Sequence, residues 1–145
     1  MATFNKVNVF VLDLASGVHN LKTGTSHVVK VALTNTAPTS ASATMSDITE
    51  ISAGNGYTAG GISIGTITGT QTSGTFKLVG GTDPVWTASG GTIGPFRYAV
   101  IYNDTPTSPA DPLIGYADYG SSVTLAIGET FTVDLDQTSG ILTVT

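Results

Sequence analysis

FRYAVIYND (96–104), PLIGYADYG (112–120), SVTLAIGE (122–129), TFTVDLDQ (130–137) and ILTVT (141–145) follow one another with almost nothing between them but turn residues. Each piece is apolar or alternating, and each is closed by Gly, Pro, Asn, Asp or Ser. Thr105-Pro106-Thr107-Ser108-Pro109 separates the first two. Short β-rich runs punctuated this way predict an antiparallel all-β domain.

The same reading extends backwards. Val85, Trp86 and Thr87 sit in a strand over 84–88, closed by Ser89-Gly90-Gly91. Thr75 to Val79 is another strand. Ile62 and Ile64 belong to a strand with a bulge near Gly65. HVVKVALT (27–34) alternates Val29, Val31 and Leu33 against Val28, Lys30 and Ala32. NTAPTSASAT (35–44) is an exposed loop. Residues 46–51 are one short helix or a strand, with a capping residue ahead of an acidic one. Phe4 to Ala15 is apolar on both faces, which predicts a covered strand. Asp13 interrupts its apolar stretch, so it reads as a strand rather than a signal peptide. Residues 1–15 are open to being an arm or a strand exchanged between subunits. The expected architecture is a single β-sandwich domain over 1–145, jelly-roll-like, with nine or ten short strands.

Composition narrows the function. At 145 residues a chain buries roughly 70% of its unfolded surface as one domain. Charged residues are 10% of the chain, against ~25% in typical soluble domains. Thr, at 25 residues, and Ser, at 13, carry the polarity instead, and Thr suits a half-exposed strand face. A low-charge surface loses little when buried against another protein, and an isolated monomer carrying one is poorly protected from association. This points to an assembly, with a Thr-rich monomeric sandwich as the alternative. Four Lys and one Arg against a net charge of −5 argue against nucleic acid and anionic membrane as partners. Cysteine is absent, so neither disulfides nor thiolate metal sites are available.

Candidate chemistry is sparse. His19 and His27 are the only histidines, too few for the three or four ligands of a usual metal site; solvated or hydrogen-bonded rings are expected. Asp134 and Asp136 fall at i, i+2 and share a strand face. The pair suits calcium or acid–base work, but solvent-facing solubility is the expected role, with Phe131, Val133 and Leu135 pointing inward. Asp104, Asp111 and Asp118 flank turns, where Asp bonds local backbone. The glycines of GNGYTAGG (54–61) have neither a Walker lysine nor GxGxxG spacing; they read as positions needing positive φ. No serine has a G-x-S-x-G setting. Phe96, Tyr98, Val100 and Tyr102 share one strand face, as core filling, a carbohydrate-stacking platform or an intersubunit contact.

GNGYTAGG at 54–61, VWTASGGTIGPFRYAVIYNDT at 85–105 and DPLIGYADYGSSVTLAIGETFTV at 111–133 resemble a small protein common among the virion structural genes of tailed bacteriophages. Related proteins are capsid decoration, or cement, proteins. The resemblance implies a β-rich homotrimer on the outer surface of the capsid, with the major capsid protein as partner. It implies no catalytic residue, cofactor or metal. The candidate partner-binding residues are Tyr57, Trp86, Tyr116 and Tyr119. The competing reading is a tail-associated adhesin or fibre-tip module stacking host glycans on Trp86, Tyr116 and Tyr119. An enzyme using two of the aspartates, such as a glycosidase, is the remaining alternative.

Overall fold

The structure, a computed structural model, describes residues 3–145. Ten strands and one short α-helix are present among them. The strands are β1 (Thr3–Lys6), β2 (Val29–Thr34), β3 (Ile62–Ser63), β4 (Thr68–Thr72), β5 (Thr75–Val79), β6 (Val85–Thr87), β7 (Ile93–Asn103), β8 (Leu113–Leu125), β9 (Thr130–Thr132) and β10 (Leu142–Val144). All pairings are antiparallel. They form a five-stranded sheet, β1-β8-β7-β2-β3, a three-stranded sheet, β10-β5-β4, and a two-stranded sheet, β6-β9. The fold is an all-β sandwich. A jelly roll has two four-stranded sheets; the sheets here hold five, three and two strands.

The large sheet is central because β2 and β7 carry apolar residues on both faces. Leu33 pairs with Ala99 and Val31 with Ile101, while Ala32 pairs with Val100 between them. All six are buried. A strand buried on both sides cannot show clean alternation, and β7 does not. Leu78, Trp86, Leu135 and Leu142 from the smaller sheets and the C-terminal segment join the same core.

Residues 4–15 differ from the expected strand. β1 stops at Lys6, and Phe10–Ala15 form helix α1. The register explains why. Lys6 pairs with Gly115 of β8. Continuing it would bring Val9 opposite Pro112, which has no N–H to donate. β8 itself begins at Leu113. With no ladder ahead, the backbone satisfies itself in a helical turn. Apolar residues on both faces are as compatible with that as with a strand. Val7 and Phe10 are fully buried, whereas Leu12 is 63% exposed. α1 ends where Gly17, at φ 78°, takes the left-handed conformation.

Two more expectations shift. Residues 46–51 begin within a three-residue 3-10 turn, Met45–Asp47, and then run extended, with Glu50 bridged to Thr34. The acidic cap is Asp47, whose carboxylate accepts the Ala43 and Thr44 N–H groups at 2.8 and 3.1 Å. PLIGYADYG and SVTLAIGE, read as separate pieces, are one strand, β8, interrupted by a bulge.

Candidate functional site

The bulge in β8 builds the most distinctive surface of the molecule. Phe96 pairs with Val123, and Tyr98 pairs with Asp118. Between those pairs β7 has Arg97 alone, while β8 has Tyr119, Gly120, Ser121 and Ser122. Gly120, at φ 97°, turns the bulge. Three contacts pin it. Arg97 donates through Nε and Nη2 to the two carboxylate oxygens of Asp118 at 2.7 and 2.8 Å. The Gly120 N–H donates to Asp118 at 2.8 Å. Ser122 Oγ donates to Asn35 Oδ1 at 2.9 Å. The Arg97 guanidinium, then the Gly120 amide, hold the Asp118 carboxyl below its ordinary range.

The bulge sets Tyr119 at the mouth of an apolar cleft of about 220 Å³. Its floor is the face of the large sheet carrying Leu33, Ala99, Ile101 and Ala117, with Phe4 of β1 beside them. Gly115 makes room for Phe4: a Cβ there would collide with the ring. The opposite wall is Phe131 to Asp136 with Gly140 and Ile141. Phe131 is the hub of the rim. Its ring meets Phe96 edge-on at 4.8 Å and Tyr119 at 5.4 Å, the arrangement the ring quadrupoles favour. The wall is held by Asp83, which accepts the Leu135 N–H at 3.0 Å. Asp136 accepts the Thr138 and Ser139 N–H groups at 2.8 and 2.6 Å. Small-molecule sites run roughly 300–1,000 Å³; this cleft matches a single large side chain better.

The four candidate partner-binding rings have different fates. Tyr119 is 55% exposed. Tyr116 is half-buried, edge-on to Tyr98 at 6.5 Å. Trp86 and Tyr57 are 1% and 3% exposed and stack on each other at 6.2 Å. These two offer no ring face at the surface of this chain, because strand alternation turns Trp86 inward while Val85 and Thr87 face out. Tyr57 is further tied down. Its hydroxyl donates to Glu50 at 2.6 Å and accepts the Leu33 N–H at 3.0 Å. Burial, and then the Glu50 carboxylate, push its phenol far above the ordinary value.

The aspartates are largely engaged. Asp104 pairs with Lys30 at 2.8 Å. Asp118 bonds the local backbone, as turn residues do, and also captures the only arginine. Asp134 is exposed at the rim of the cleft. Among the described residues no group of three or more His, Cys, Asp or Glu could hold a metal ion.

His19 and His27 come together through Asn103, which lies 84 and 76 positions away. Asn103 Nδ2 lies 3.3 Å from His19 Nδ1 and 2.9 Å from His27 Nδ1. Burial, then the charge of His27, lower the His19 imidazole to about 4, against a weaker opposing effect of the Leu113 backbone. Arg97 and Asn103 are organising residues to which the sequence pattern assigns no role, and Phe131, expected only as an inward-facing residue, is the hub of the rim. The one available signal was Arg97 as the only arginine, set in an otherwise apolar strand.

Compared with protein-family models, curated proteins and solved structures, the chain matches none.

Proposed function

We propose that this chain is a virion structural protein that decorates the outside of a phage capsid and stabilises the shell by bridging major capsid subunits as a homotrimer. The resemblance in residues 54–61, 85–105 and 111–133 carries the reading. Those stretches are neighbours in the fold. β7 and β8 pair along their lengths, and Asn55 and Gly56 sit against Thr87 and Ser89. A cement protein works through contact area, and a standard interface buries ~1,600 Å². The low-charge surface suits that, and on this reading the Tyr119–Phe131 cleft takes an apolar side chain of the capsid subunit.

The glycan-binding reading is left with Tyr119 and part of Tyr116, since Trp86 lies in the core. Cryo-electron microscopy of the virion tests the decoration proposal. Density for this chain on the head shell, near one copy per major capsid subunit and grouped in threes, is expected. Density confined to the tail, or a tenfold lower copy number, would overturn it.

A further inference from the structure

We propose that the His19–Asn103–His27 bridge is an acid-released latch, closing the connector 16–28 over the ends of two sheets. The connector links α1 to β2. It reaches the three-stranded sheet, where Thr23 Oγ1 donates to the Gly69 carbonyl of β4 at 3.1 Å. Leu21, 3% exposed, lies over the same glycine, and a Cβ on Gly69 would run into the Leu21 carbonyl. At the other end the connector is held by Asn103, the last residue of β7, which is fully buried.

The hydrogen-bond directions make this a proton-sensitive contact. Asn103 Oδ1 accepts the Thr105 N–H at 3.3 Å, which sets the amide with Nδ2 toward the rings. That nitrogen has two hydrogens and no acceptor capacity. It approaches both Nδ1 atoms, so each Nδ1 must accept. The Asn20 N–H, at 3.3 Å, is a second donor to His27 Nδ1. Both imidazoles are therefore neutral, with the proton on Nε2. Adding a proton at either Nδ1 places N–H against N–H and converts an attraction into a clash of donors. Rotating the amide would abandon Thr105.

The surroundings compensate an imidazolium only weakly. On α1, Phe10 packs against His19 with ring centroids 5.1 Å apart. Asp13 offers the connector its backbone carbonyl, which accepts the Val18 and His19 N–H groups. At the end of β7, Asp104 is committed to Lys30 of β2. On β8 the Leu113 backbone favours a charged His19, but more weakly than burial and His27 oppose it. Asp111, in the β7–β8 loop, is itself disfavoured as a charge, by burial first and by Asp104 next. Neither ring is hydrogen-bonded to a carboxylate among the described residues. His27 is half-buried and open to solvent protons, while His19 is enclosed. A proton on either ring thus breaks its contact with Asn103 and frees the connector there. Leu21 and β4 are then uncovered.

The test uses the full chain. Nitrogen-15 NMR of the imidazoles at pH 7.5 should show both rings as Nε2–H tautomers. Amide hydrogen exchange, corrected for intrinsic rates, should accelerate at least tenfold across 18–28 between pH 7.5 and pH 5, while β7 and β8 stay protected. An Nδ1–H tautomer on either ring, or unchanged protection of 18–28, would overturn the proposal. Asn103→Asp supplies the contrast, because a carboxylate accepts from imidazolium. His19 of that variant should titrate at least one unit higher than in the parent, with no acid acceleration of exchange across 18–28. If that variant does not fold, His27→Gln should blunt the pH dependence of exchange, and an undiminished dependence would overturn the latch.

Discussion

Glycine positions show how far one residue type can be interpreted alone. GNGYTAGG reads as backbone needing positive φ, and Gly54, Gly56, Gly60 and Gly61 lie between 71° and 129°. Gly61 carries the heaviest demand. Its φ is 71°, and a Cβ would strike the Val31 carbonyl in the central sheet. Gly61→Ala combines backbone strain with a collision against backbone that cannot move aside. We expect about 3 kcal/mol or more of lost stability by urea denaturation; a loss under ~1 kcal/mol would contradict the contact. Trp86 is the second test. Trp86→Ala should cost about 3–5 kcal/mol, the value for truncating a large buried ring. Asp134→Asn and Tyr119→Ser, both exposed, should stay within about 0.5 kcal/mol in the same assay. A stable Trp86→Ala protein would mean that this ring is not in the core.

Elements follow from pairing more than from local preference. α1 exists because the β1–β8 register ends near Pro112, and nothing in VFVLDLA announces it. The β8 bulge is similar. Gly120-Ser121-Ser122 has turn composition, and only the resumption of pairing at Val123 opposite Phe96 makes it an interruption within one strand. The Arg97–Asp118 pair is the fastener of that bulge. Both side chains are about one-third exposed, so the pair itself is worth little in global stability. Its effect should be local. Arg97→Met should leave the thermal midpoint within a few degrees while raising amide exchange at Tyr119 and Gly120 several-fold. Unchanged exchange there would show that the bulge is held by other contacts.

The whole molecule answers to pH through groups that the topology brings together. His19 binds its proton near pH 4 in the fold, against an ordinary 6.5. Between those values the unfolded chain holds more protons, so stability rises with pH there. Acidification from pH 6.5 to 4 should therefore remove up to about 3 kcal/mol through this ring, read as a falling urea midpoint. Asp47, Asp118 and Asp136 are shifted below their ordinary 3.8, each by hydrogen bonds to its charged form. Their contribution is present above about pH 4 and is lost as pH falls further. His19→Phe should flatten the upper part of the profile and leave the acid limb. A profile flat from pH 6.5 to 4 in the parent protein would contradict the buried, neutral ring.

Alternation, turn chemistry and low charge act over a few residues at a time. That is why strand number, the all-β class and the glycine-rich turn could be read directly from the chain. Burial of Trp86 and Tyr57, the helix in place of a strand, the aromatic rim around Phe131 and the meeting of His19, His27 and Asn103 were settled elsewhere. Each depends on which strand lies beside which, and in what register. In an antiparallel sandwich those partners sit scores of residues apart, so no local pattern of side chains encodes them.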